Sequence, residues 1–562
     1  MAVSMLKVAS RTRPRPAATA RFLSVAMVIG LIFSACSSAT TTPTGAPPTA
    51  SAGGTTPGVV ASTAPATPTA APTPTCKPGG TVTVAYQDNA DSLSPMDTTG
   101  NANEFVSIPL FDTLISELPG KLDPQPDLAT SWDISPDNLT YTFHLRSGVK
   151  FSNGDPLTAD DILFTVNRLI DPKVNVGWYT MFASIKNFEV VDPSTLRMNM
   201  KNVDAGVLWS FALPVAGVYS KKAFQQTGDA GLKKAPIGSG PFMLDSWSPG
   251  QTLKYVKNPN YWGKSYLDGV TFNYIPDPTA RALAIESGEA DIAENIAYNQ
   301  IAEVTSHPGI AVPLQKVAVN WGVTLNNAVK PFDEKVVRQA LNYATPRDVL
   351  NKLVLAGTGT PSNVMGMAEG TQFWDSTVAP YPYDLDKAKA LMAQSSVPNG
   401  FDVEMIIENT STSTSAAAIL QAEWAKIGVK VKITTVDPSV LWDRLNTDKF
   451  QAMMQDPWLY TSDVPDTNEH AQIFLAYTDT WKSWFSQYKS DQVISLVKQA
   501  DSTTDNTQRQ ALYTQLQKLT MDDAPVVTLL WAPSTNANST KLLGTETVVT
   551  AWWRFENVCF KA

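Results

Sequence analysis

The chain has 562 residues, 43% hydrophobic and 17% charged, with 43 Lys+Arg against 52 Asp+Glu and a formal net charge of −9 at pH 7. The acidic balance argues against nucleic acid or an anionic lipid surface as partner, and the length exceeds one hydrophobic core and suffices for two or three lobes. His144, His307 and His470 stand far apart, with no Cys/His cluster of zinc spacing and no HExxH, so neither a metal site nor a cofactor is expected.

The chain opens with Lys7, Arg11, Arg13, Arg15 and Arg21 and no acid, followed by the fourteen residues Phe22–Ala35, "FLSVAMVIGLIFSA". A membrane-crossing helix needs ~20 apolar residues. The shorter run after a basic head reads as a signal peptide over 1–35. Ser34 and Ala35 before Cys36 resemble the bacterial lipoprotein box, with Phe33 where Leu is usual. That resemblance implies lipidation of Cys36 and a lipid bilayer as partner; the alternative is an ordinary signal peptide with an incidental cysteine. Two or three acyl chains, at ~0.8 kcal/mol per buried CH₂, would hold firmly where one would not. Loss of the five leader cations leaves 38 Lys+Arg against 52 Asp+Glu, a net charge of −14. Residues 36–76 then form a Thr/Pro/Ala tether, uncharged from Ser37 to Thr75, which cannot bury enough surface to offset chain entropy and is expected to be disordered.

Folded elements begin with "TVTVAY" (81–86), alternating like a half-buried strand, and "LTYTFHL" (139–145) alternates again. Thr158 with Asp161 three residues on reads as a capping-box variant. Ile162, Leu163, Val166, Leu169 and Ile170 behind it make one apolar helical stripe. "FDVEMIIEN" from Phe401, a helix from Ala417 to Ile427 stopped at Gly428, and "VKVKITTV" together predict a parallel βαβ unit. Ligands of such sheets sit beyond the carboxyl ends of strands. Here that end is "ENTSTST" (408–414), so Asn409 and Thr410 are candidate ligand contacts; an ordinary capped loop is the alternative.

The stretch "PDLATSWDISPDNLTYTFHLRSGVKFSNGDPLTADDILFTVNRL" closely resembles the bacterial extracellular solute-binding proteins of the peptide/nickel type (family 5), binding components of ABC importers. "APIGSGPFMLDSW", with Ser239 where the family has Thr, follows in family order. So do "VKNPNYWG", "ALAIESGEADIA", "VKPFDEKVVRQALNYATPRDVL", "QAEWAKIGVKVKI" and "RQALYTQLQKLTMDDAPVVTLLW". The resemblance covers essentially everything after residue 77. It implies an α/β fold, a two-lobed clamp of the periplasmic-binding-protein kind, with lobe 1 at 77–320, an inserted subdomain at about 120–235, lobe 2 at 321–524 and a return to lobe 1 at 525–562. It further implies a non-enzymatic, monomeric receptor, extracytoplasmic and anchored by lipid, that closes on a small solute, most simply a peptide, and hands it to an ABC permease. An oligosaccharide receptor of the same family is the alternative. A secreted hydrolase lacks support, since no GxSxG occurs and "IGSGP" is not a nucleophile elbow. A surface adhesin would share the tether but not the globular motifs.

Three tryptophans at loops or strand ends, Trp321, Trp374 and Trp458, are candidates to stack on sugar rings or peptide side chains, or else simply pack. Peptide-binding members of the family carry an aspartate after a Gly-Trp strand end that pairs with the ligand's α-ammonium group. In "MQDPWLYTSDVPD" (454–466) Pro457 replaces that glycine. The role transfers to Asp463, with Asp466 and Asp456 as alternatives and a solvated loop as the plain reading. Cys76 and Cys559, at the two ends of the folded region, are either a disulfide or two unrelated thiols.

Overall fold

In the computed structural model the described residues are 75–562, apart from 98–100, 175, 177, 365–368, 455–459, 462 and 480. They fall within one compact unit, Pro72–Ala562. The signal segment, Cys36, the tether through residue 74, Asp456 and Trp458 lie outside the described residues. No described helix is long and apolar enough to cross a membrane.

The alternating run near the start forms the strand Thr81–Tyr86, with Val82, Val84 and Tyr86 fully buried. It is the centre of a seven-stranded sheet ordered 310–311, 537–539, 292–293, 81–86, 269–274, 252–257, 242–248. A second sheet runs 360–361, 526–531, 319–325, 452–454, 402–408, 430–436. Its last strands, Asp402–Glu408 and Lys430–Val436, are parallel and are joined by the helix Ser411–Ala425. That helix starts six residues earlier than expected, because Thr410 caps it by accepting from the Ser413 N–H at 3.0 Å. A fixed cap and a buried face override the poor helix preference of Ser and Thr. After it, Gly428 adopts φ +85°, and a Cβ there would stand 2.8 Å from the Asn399 carbonyl, so only glycine fits the turn.

Between the strands of the first sheet the chain makes a subdomain. Its four antiparallel strands are ordered 129–134, 140–145, 195–200, 185–192, and the helix Ala159–Leu169 packs on them. Asp161 closes the helix start by accepting from the Thr158 N–H (3.0 Å) and hydroxyl (2.8 Å). Ile162, Val166 and Leu169 are buried, while Leu163 and Ile170 are half-buried against the same core.

The sheets locate the two crossings between lobes. Val319–Leu325 belongs to the second sheet, so the first crossing lies in 312–318. Val526–Trp531 pairs with it antiparallel, so the chain returns only after Trp531. The expected boundary at 525 stands just ahead of this strand. All six residues of that strand are buried, as in a strand covered on both faces, and such a run gives no alternation to mark it as an element of its own. The crossings lie side by side, with the Ser534 N–H donating to the Gln315 carbonyl at 2.9 Å.

Cys76 and Cys559 form a disulfide with Cα atoms 5.5 Å apart, within the pairing of Cys76–Lys77 with Cys559–Lys561. It ties residues 483 apart in sequence, and closing so long a loop restricts the unfolded chain. Replacing both cysteines by serine is expected to cost about 2–4 kcal/mol, read as a lower Tm in calorimetry. An unchanged Tm would show that the sheet alone holds the ends.

Candidate functional site

Three segments distant in sequence meet where the lobes face each other. The first is "NANEFVSIPLFDTLISEL", residues 101–118, whose helix Asn101–Ser107 carries Glu104. The second is 548–554, near the C-terminus. The third is the second-lobe turn 463–470. A small pocket on the first-lobe side is lined by Phe111, Thr113, Glu117, Pro214, Val548, Trp552 and Arg554 among others. Phe105 meets Trp552 edge-on at 4.6 Å, which fixes the Trp552 ring.

Carboxyl groups dominate this place. Glu104 is buried and accepts from the Trp178 indole N–H at 2.9 Å. Burial, then the charge of Asp463, pushes it up to about 8. Glu117 is 7% exposed; its Oε2 accepts from the Thr550 hydroxyl at 2.7 Å, and the backbone N–H groups of Val549 and Thr550 face the same carboxyl. Burial pushes Glu117 up to about 8, against the opposing pull of its Thr550 bonds and of Arg554. Asp463 is raised well above the carboxylate range by burial, then by Glu469 and Glu117. Glu469 is fully buried and accepts from the Asp463 and Val464 N–H groups at 2.9 and 3.0 Å. The cation on this wall, Arg554, donates to Glu556 at 2.7 Å. Among the described residues no three His, Cys, Asp or Glu side chains are placed to hold a metal ion.

The lobes are in contact beside this cluster. Trp178 of the subdomain lies 6.3 Å from Trp481 of the second lobe, ring centre to ring centre. The Ala205 N–H donates to the Asp501 carbonyl at 2.8 Å, and Asn468 Nδ2 donates to Asp204 at 3.3 Å. Val464, 1% exposed, joins the subdomain core.

Of the residues singled out from sequence, Asp463 stands in this cluster. Asp466 is engaged elsewhere: it is 2% exposed and takes both terminal nitrogens of Arg509 at 2.9 Å, so it has no carboxylate edge left for a ligand. Trp321 is fully buried in the second-lobe core. Trp374 is half-buried against that lobe's other core cluster and donates to Asn363 at 3.0 Å. Asn409 is exposed, and Thr410 serves as the helix cap. Sequence reasoning missed Glu104, Glu117 and Glu469. For the first two a signal existed: single acids inside the apolar run "EFVSIPLFDTLISEL", where a charge must be buried with a purpose or be neutralised.

Two α/β lobes joined by a double crossing define a clamp-type binding protein. The family profile described as "Bacterial extracellular solute-binding proteins, family 5 Middle" matches residues 123–481, and the chain belongs to that family. It is a binding protein and not an enzyme. The chain is similar to heme-binding protein A of Haemophilus influenzae, 29% identical over 451 residues, covering 75% of this chain and 81% of that protein. It is also similar to the glutathione-binding protein GsiB of Escherichia coli (strain K12), 28% identical over 472 residues, covering 82% and 91%. Among solved structures, the ABC transporter-associated periplasmic binding protein DppA of Helicobacter pylori, in complex with the peptide STSA, superposes with a TM-score of 0.77 at 29% identity, covering 86% of this chain and 99% of that one.

Proposed function

We propose that this protein is the lipid-anchored receptor of an ABC importer, which captures a peptide by its free amino terminus between closing lobes and delivers it to the permease. The observation that supports a cationic ligand terminus is the group of buried carboxyls in which Asp463 acts on Glu104 and is acted on by Glu117, with Glu117 lining a small pocket. A carboxylate in a partly dry cleft gains strongly from an ammonium partner and is costly when unpaired. Peptide is also what the DppA structure contains. The oligosaccharide alternative drew on Trp321, Trp374 and Trp458. Trp321 is wholly within the core and Trp374 packs on it, so no described aromatic of that set favours sugar. Anchoring through Cys36 draws on the leader sequence and on membership of an extracellular family.

A thermal-shift screen of free-amino peptides, their N-acetyl forms and oligosaccharides tests the ligand class. A ligand at 100 times its Kd adds ~2.7 kcal/mol, and only the free-amino peptides are expected to raise Tm. A shift with sugars alone, or equally with acetylated peptides, would overturn the reading. For the anchor, Cys36→Ser is expected to move the protein from the membrane to the soluble fraction, and unchanged retention would refute lipidation at this residue.

A further inference from the structure

Residues 204–206 form a turn of the subdomain that is pressed against the second lobe. The Ala205 N–H donates across to the Asp501 carbonyl at 2.8 Å. Asp204 Oδ1 accepts from the Gly206 N–H within the turn at 3.1 Å and from Asn468 Nδ2 across the lobes at 3.3 Å. A Cβ at Gly206 would overlap Asn468 Nδ2 and stand 3.0 Å from the Asn468 Cβ and Cγ. The Gly206 backbone is not left-handed, so the close approach, and not the conformation, calls for glycine. Asn468 has little freedom to swing aside. It is 2% exposed, its Oδ1 accepts from Gln472 Nε2 at 2.8 Å, and its N–H donates to Asp466, which Arg509 holds. Gln472 donates in turn to Asp501 at 3.1 Å, so the two second-lobe residues that meet the turn are tied to each other.

We infer that this turn is a latch: it holds the clamp shut through contacts that the solute does not make, and its fit depends on Gly206 lying flat against Asn468. The lobes are joined at 312–318 and after Trp531, whereas the latch joins the subdomain to the second lobe, so a swing about the crossings parts the turn from its partners. The latch therefore sets the closed fraction of the protein. A solute that binds the closed form gains or loses apparent affinity with that fraction, whatever its chemistry.

Hydrogen exchange on the full-length protein, with no solute added, reads the latch at peptides spanning 203–207, with the subdomain strand Thr195–Met200 as internal control. In the wild type the Ala205 amide is expected to exchange at least about tenfold more slowly than an open turn. Gly206→Ala is expected to abolish that protection and to enlarge the radius of gyration in small-angle scattering, with the strand unchanged. Asn468→Ala, which removes one cross-lobe bond and adds no atom, is expected to speed exchange by about fivefold. Combined with Gly206→Ala it makes room for the new methyl, and the double variant should return close to the level of Asn468→Ala alone. Should Gly206→Ala also expose the strand, the subdomain has unfolded, and Asn468→Ala decides by itself: faster exchange at 203–207 with the strand protected supports the latch, and unchanged exchange overturns it. A wild-type turn that exchanges as fast as an open one, a Gly206→Ala variant as protected and compact as the wild type, or a double variant no better protected than Gly206→Ala would each overturn it as well. All of these readings leave the choice of solute untouched, so a failure here is distinct from a failure of the peptide reading.

Discussion

Changing Asp463 to Asn is expected to weaken binding of a free-amino peptide by about 2 to 5 kcal/mol, the range for truncating one partner of a buried, hydrogen-bonded charge pair. Acetylating the peptide's amino group is expected to cost a similar amount, and the two losses should not add, since each removes the same interaction. The free protein should respond in the opposite sense. Asp463 is pressed by burial, by Glu469 and by Glu117, so the neutral amide relieves repulsion and Tm should hold or rise. Such a trade between ligand affinity and resting stability marks a binding group rather than a structural one. Asp466 gives the contrast. Its ion pair with Arg509 is buried, with side chains 2% and 4% exposed, and breaking it should cost about 3–5 kcal/mol of stability. Calorimetry of Asp463→Asn at full affinity for the peptide would remove this turn from the site.

The legible parts of the fold were those in which a local pattern and the tertiary structure agree. Alternation over 81–86, the Thr158–Asp161 cap and the apolar stripe behind it each need only a few neighbouring residues. The strand 526–531 is buried on both faces, so its membership of the second sheet is decided by a partner strand about 200 residues away and not by any local signal. The segment 471–488 was less legible still. It contains a π-helix over Ala471–Leu475 and then positive φ at Lys482, Ser483, Trp484 and Phe485 in succession. That left-handed turn is costly for residues with a Cβ. No glycine announces it, and tertiary contacts hold it: the Ser483 hydroxyl donates to the Leu475 and Tyr488 carbonyls, and Trp484 stacks on Trp481 at 5.8 Å. The site followed the same rule. Asp463 could be reached through a family motif, whereas Glu104 and Glu117 acquire a role only when residues 104–117, 463–469 and 548–554 converge. Before that they are acids in an apolar run.

Raising the pH from 5 to 9 is expected to destabilise the closed, ligand-free clamp, and a Glu104→Gln, Glu117→Gln double variant should be largely spared. Both carboxyls move from an ordinary 4.5 to about 8, burial being the first cause for each. Glu104 faces the Asp463 carboxyl and the Trp178 N–H. Glu117 faces Arg554, the Thr550 hydroxyl and the backbone N–H groups of residues 549 and 550, and it acts in turn on Asp463 beside Glu469. A carboxyl raised in the folded state contributes stability that is complete below pH 4.5 and is lost as pH climbs through about 8. At about 1.4 kcal/mol per pKa unit the loss is on the order of 5 kcal/mol for each group if the cleft stays shut. Opening the lobes parts both carboxyls from Asp463 of the second lobe and limits that cost, so the protein should open before it unfolds. Small-angle scattering of the wild type should then show a radius of gyration that grows between pH 6 and pH 9, with little growth in the double variant. Identical pH profiles of size and Tm in the wild type and the double variant would mean that these two carboxyls do not govern closure, and the charge of the cleft would have to be assigned to Asp463 and Glu469 alone.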